Sequence, residues 1–133
     1  MKTKNKLSIL GFHSVNLILI IFYLYPGSLF GCYLYNNCNI QPQITGNFIV
    51  SFNYSIASNH FYVFFILSAL GIFAYQNTKK IKFITIYLFL LSIVLELFHL
   101  IIPVRGFEWS DLFGNILGLI FVIVIYKVKN KYV

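Results

Sequence analysis

Charge is what this sequence has least of. Of its 133 residues only 10% are charged, just three of them acidic (Glu96, Glu108 and Asp111), and Arg105 is the single arginine. Soluble domains carry roughly 25% charged residues, so this composition cannot give a folded chain a water-facing surface. Repeats, low-complexity tracts and HExxH-like spacings are also missing. What fills the chain instead is 59% hydrophobic and 20% aromatic residues, the composition of one integral membrane domain. The net charge of +7 comes from lysines in three tight groups beside apolar runs. That placement reads as membrane topology and excludes nucleic acid as a partner.

In chain order, Lys2, Lys4 and Lys6 precede an apolar run over 7–25, ended by Pro26-Gly27. At 1.5 Å per residue it crosses a hydrocarbon core of about 30 Å with little tilt. A cleaved signal peptide competes with this reading, since Leu29-Phe30-Gly31-Cys32 resembles a lipoprotein box. The run is long for a signal and no A-x-A site follows, so an uncleaved helix is expected. His13, Ser14 and Asn16 interrupt it and are expected to face neighbouring helices, away from the main polar cluster.

Residues 26–59 carry no charged side chain but hold Tyr33, Tyr35, Phe48, Phe52 and Tyr54 among many Asn, Gln and Ser. The aromatics point to a flap at the headgroup level. Its 48–56 portion roughly alternates apolar and polar, which leaves an extended piece and an interfacial helix both open. Cys32 and Cys38, the only cysteines, are either a disulfide or two free thiols, the former if the loop lies outside the cytoplasm.

Further apolar runs cover 60–76, 83–102 and 111–127. With lysines at the start, at 79–82 and at 127–131, the positive-inside rule has one solution. The expected fold is an all-α membrane protein of four transmembrane helices, both termini cytoplasmic, with a long extracytoplasmic loop between the first and second. The whole chain, 1–133, forms a single domain.

Every acidic residue and the arginine fall between positions 96 and 111. Glu96 sits inside the third run, roughly 9 Å below its outer end. A carboxylate there is expensive, costing about 2.5–3.5 kcal/mol to insert, and marks function. Ser92, Glu96, His99 and Pro103 follow a helical stripe; Asp111, Asn115 and Gly118 follow another. Gly114 and Gly118 make a small-xxx-small pair for close helix approach. Arg105, in the turn above, is expected to fork onto Glu96 or Asp111. His60 opens the second helix at the same outer end. Thus His60, Glu96, His99, Arg105, Asp111 and Asn115 are expected to converge near one depth.

These residues carry a resemblance. Glu96-x-x-His99, Pro103-x-Arg105 and Asp111-x-x-x-Asn115-x-x-Gly118, with His60-Phe61 upstream, are similar to the pattern of the VanZ-like family: E-x-x-Q, P-G-R and D-x-x-x-N-x-x-G. His99 stands where that pattern has Gln, Val104 where it has Gly, and Ser58-Asn59 where an acidic or basic residue is usual. The match covers the second half of the chain; the first helix and the loop are generic. The resemblance implies a multi-pass protein of the bacterial cytoplasmic membrane, linked to the cell envelope and to glycopeptide resistance, chiefly to teicoplanin.

Three functional readings follow. In the first, an outer-leaflet pocket takes a membrane lipid or lipid-linked envelope precursor. Glu96, Asp111 and His60 are then the acid–base candidates, while Arg105, Asn115 and His99 bind substrate, Arg105 as a bidentate clamp. In the second, His60, His99, Glu96 and Asp111 hold zinc; the ligands are dispersed along the sequence, so neither metal nor cofactor is expected. In the third, a non-enzymatic helper positions a larger envelope enzyme or transporter as its membrane-protein partner. A purely mechanical polar cluster explains the insertion cost badly, since membrane hydrogen bonds average about 0.6 kcal/mol.

Overall fold

The computed structural model describes residues 2–42, 47–51 and 54–132. Its elements are α1 (Lys2–Leu24), α2 (Leu29–Tyr35), β1 (Phe48–Ser51), β2 (Tyr54–Ile56), α3 (Ser58–Tyr75), α4 (Ile81–Phe98) and α5 (Trp109–Tyr132). Four of them (α1, α3, α4 and α5) are long and apolar enough to cross a membrane. α3 is the inner helix, packed most closely on α5 and also on α1 and α4. Phe12, Leu19, Phe64, Leu67, Leu88, Leu95 and Leu119 form the apolar core between them. The outward faces keep Leu10, Ile18, Ile86, Leu90 and Val124 exposed, as expected where lipid tails replace water.

Phe12, Asn16, Leu19 and Tyr23 are the buried stripe of α1, spaced four, three and four. Asn16 donates to the Tyr87 hydroxyl of α4, and His13 Nε2 lies 2.8 Å from the Tyr75 hydroxyl of α3. Ser14 departs from expectation: it points outward and is exposed, because at 100° per residue it falls outside that stripe.

Within the 26–59 connection the 48–56 portion takes the extended alternative, and a short helix lies earlier in the chain, at Leu29–Tyr35. α2 is capped by Ser28, whose Oγ accepts from the Gly31 N–H. A disulfide joins Cys32 to Cys38. β1 and β2 pair antiparallel, Phe48 opposite Ile56, with a register shift between Ile49 and Ser51. Tyr33 and Tyr35 are exposed, as is Phe48; Phe52 lies outside the described residues. The loop is tied back onto the bundle by Ala57 N–H donating to Ser110 O at 3.0 Å and Asn59 Nδ2 to Pro42 O at 2.9 Å.

α4 ends at Phe98, not at 102. Leu100 N–H and Ile101 N–H bond three residues back, to Leu97 O and Phe98 O, so the chain tightens beyond the helix. Pro103 disfavours helical backbone at Ile102, which forces the exit. Val104 then takes φ 65°, a left-handed conformation rare for a β-branched residue. At the far end α5 runs on through Lys127, Lys129 and Lys131, since lysine is a good helix former.

Candidate functional site

Two glycines set the site's walls. A Cβ on Gly114 would lie 2.6 Å from Ala57 O and 3.0 Å from His60 Cβ; one on Gly118 would collide with Phe61 O. α5 therefore lies directly against the first turns of α3, which brings Asp111 and Asn115 to His60. The expected small-residue pair does close this helix contact.

His60 Nε2 lies 3.2 Å from Asp111 Oδ2. Its Nδ1 is 3.1 Å from the Tyr23 hydroxyl and 3.2 Å from Asn115 Oδ1. Tyr23 donates its proton to Asn115 Oδ1 at 2.8 Å, and Asn115 Nδ2 faces Ser92 O at 3.4 Å. That orientation of the amide leaves only acceptors before His60 Nδ1, so Nδ1 carries a hydrogen. A neutral ring then turns its Nε2 lone pair toward a carboxylate. One positive charge, a proton or a cation, must lie between them.

Glu96 and His99 repeat the arrangement behind. Glu96 is completely buried. Its Oε1 accepts from Glu108 N–H at 3.1 Å and lies 3.4 Å from His99 Nδ1. His99 Nε2 donates to Tyr23 O at 3.1 Å, so its Nδ1 again presents a lone pair to the carboxyl unless a proton is shared. The two rings of Tyr23 and His99 stack, 5.7 Å apart and 16° from parallel. Glu96 Oε2 has no hydrogen-bond partner and lies 4.0 Å from His60 Nδ1. An unsatisfied buried carboxylate oxygen is costly and asks for a cation or a ligand.

Five of the six expected residues thus meet in one buried cluster: His60, Glu96, His99, Asp111 and Asn115. Arg105 does not join them as expected. It donates to Phe22 O at 3.3 Å, and among the described residues no carboxylate pairs with it. The left-handed step at Val104 directs it over the end of α1, where the last carbonyls of a helix lack internal partners. Partial burial lowers its pKa from the usual arginine value, with Asp111 and Glu96 acting against that. Its Nε has no partner. Pro103, the last member of the α4 stripe, is exposed, because the helix ends before it.

Tyr23 is the residue that sequence reasoning missed. Its signal was present: it continues the stripe of Asn16 at seven residues and stands at the C-terminal end of its run. It touches His60, His99 and Asn115, which makes it the hub of the cluster.

Above His60 and Asp111 opens a small polar cleft of about 100 Å³, lined by Gln41, Asn47, Ala57, Asn59 and Glu108 as well. Gln41 and Asn47, from the stretch between α2 and β1, supply the wall facing away from the bundle. The sequence matches no family model, no curated protein and no solved structure.

Proposed function

We propose that the chain is a VanZ-like protein of the bacterial cytoplasmic membrane whose polar cluster binds the headgroup of an envelope amphiphile, such as a lipid-linked precursor, at the outer leaflet. The observation that carries this reading is the meeting of hydrogen-bonding and ionisable side chains from four helices around a fully buried carboxylate, beneath a cleft open at His60 and Asp111. Intramembrane ionisable groups gathered in this way mark function by default.

The side assignment has two supports. All three lysine groups lie at the bundle end remote from the cluster, as the positive-inside rule asks of a cytoplasmic end. The Cys32–Cys38 disulfide lies at the cluster's end, as an oxidising compartment allows. The family reading is supported by Val104: its left-handed φ of 65° falls where the family pattern carries glycine.

In this function Arg105, at the rim with an unpartnered Nε, takes phosphate or carboxylate. Asn115 and His99 orient what enters, and His60, Asp111 and Glu96 hold or move protons. A cleft of about 100 Å³ is far below the roughly 300–1,000 Å³ of a site that engulfs a ligand. It fits a headgroup whose tails remain in the bilayer. The same small volume favours the alternative of a helper subunit, whose partner crosslinking in native membranes would reveal.

The test uses Glu96→Gln and Arg105→Lys in a bacterial host, with teicoplanin susceptibility and lipid-linked precursor levels as readouts. Both variants are expected to insert normally and lose the effect of the parent protein. Unchanged resistance and precursor profiles in correctly inserted variants would end this reading.

A further inference from the structure

We infer that His60, Glu96 and Asp111 form a binding site for one divalent metal ion, with zinc the best match to the ligand chemistry. The three residues come from α3, α4 and α5, so nothing in their sequence spacing announces a site. In the fold each offers one ligand atom, and these atoms all lie within 4.8 Å of one another.

Four observations converge on a cation here. First, His60 Nε2 and Asp111 Oδ2 are 3.2 Å apart. Two ligands on a tetrahedral zinc with bonds of 2.0–2.2 Å are separated by about 3.4 Å, so this pair already has the edge length of such a site. Second, Glu96 Oε2 is buried without a hydrogen-bond partner, and a metal would satisfy it. The His60 nitrogen nearest that oxygen is Nδ1, at 4.0 Å, so joining an ion held by Nε2 and Asp111 asks the Glu96 carboxylate to turn toward them. Third, the back of the His60 ring is held by Tyr23 and Asn115. Metal-binding histidines use their second nitrogen in this way to fix the tautomer that points a lone pair at the ion. Glu96 is likewise oriented, its Oε1 accepting from Glu108 N–H. Fourth, His60 and Asp111 line the polar cleft, which provides an entry path and leaves the ion's remaining position to water or a ligand oxygen. Three protein ligands with one open position is the arrangement of reactive zinc sites.

Imidazole with two carboxylates selects borderline to hard divalent ions and offers no thiolate for softer ones. The ion would supply the positive charge that the facing His60 lone pair and Asp111 carboxylate require. The inference goes beyond the amphiphile reading, since ligation would replace the proton-carrying role of these three residues. Binding of the ion can be measured with no lipid substrate present, so either reading can fail without the other.

The experiment takes the full chain in detergent, with its purification tag removed, stripped with chelator and titrated with zinc chloride. Stoichiometry is read by elemental analysis and affinity by calorimetry, with cobalt as an optical probe of coordination. The expected result is one zinc per chain and a cobalt spectrum of low-symmetry coordination. Asp111→Asn and Glu96→Gln, which keep the side-chain shapes, should each weaken zinc by at least about tenfold. His13→Ala, at the opposite end of the bundle, should leave it unchanged. Well under one zinc per folded wild-type chain overturns the inference. So does undiminished binding in the Asp111→Asn/Glu96→Gln double variant.

Discussion

Replacing Gly114 by alanine tests the helix contact on which the site depends, and Gly11→Ala supplies its control. Both glycines lie inside long helices, so each substitution gains a similar helix propensity of roughly 1 kcal/mol. At Gly11 nothing lies within 4 Å of the new methyl. At Gly114 the methyl would sit 2.6 Å from Ala57 O and 3.0 Å from His60 Cβ. Ordinary carbon contacts begin near 3.5 Å, so α5 must back away from the start of α3 by about 0.9 Å. Overpacking of this kind costs about 1–3 kcal/mol. The same movement would carry His60 and Asp111 from 3.2 Å toward 4 Å, out of hydrogen-bond range. Equilibrium unfolding in mixed detergent micelles should therefore place Gly114→Ala about 1–3 kcal/mol below Gly11→Ala. Equal stability of the two variants would refute the close approach of α3 and α5.

Two other perturbations separate parts of the structure. Tyr23→Phe keeps the ring stacked on His99 but removes a hydroxyl bonded to Asn115 and His60; a loss of about 0.6–1.7 kcal/mol is expected in the same unfolding assay, and no loss would remove Tyr23 from the cluster's centre. The disulfide closes a short loop, so Cys32→Ser/Cys38→Ser should cost about 2 kcal/mol; thiol alkylation of the parent before reduction would contradict the bond.

Much of this protein is written locally in its chain. The four apolar runs, the lysine groups between them and the polar stripe of Ser92, Glu96 and His99 follow from composition and from a period of 3.6. So does the capacity of α5 for a close helix approach, because Gly114 and Gly118 leave no side chain in the way; that the neighbour is α3 came from the packing. Hydropathy and periodicity report which face of a helix is buried, and that information lies within one segment.

What only the tertiary structure decided is which buried groups meet. Tyr23 is not among the residues singled out in the sequence; the rotation of α1 placed it on His60, His99 and Asn115. Arg105 looked like the natural partner of Glu96, but the tight exit from α4 and the positive φ of Val104 turned it toward Phe22 instead. Ligand atoms of His60, Glu96 and Asp111, spread over three helices, became neighbours only on packing. Helix rotation and turn direction depend on contacts between segments distant in sequence, and no local pattern encodes them.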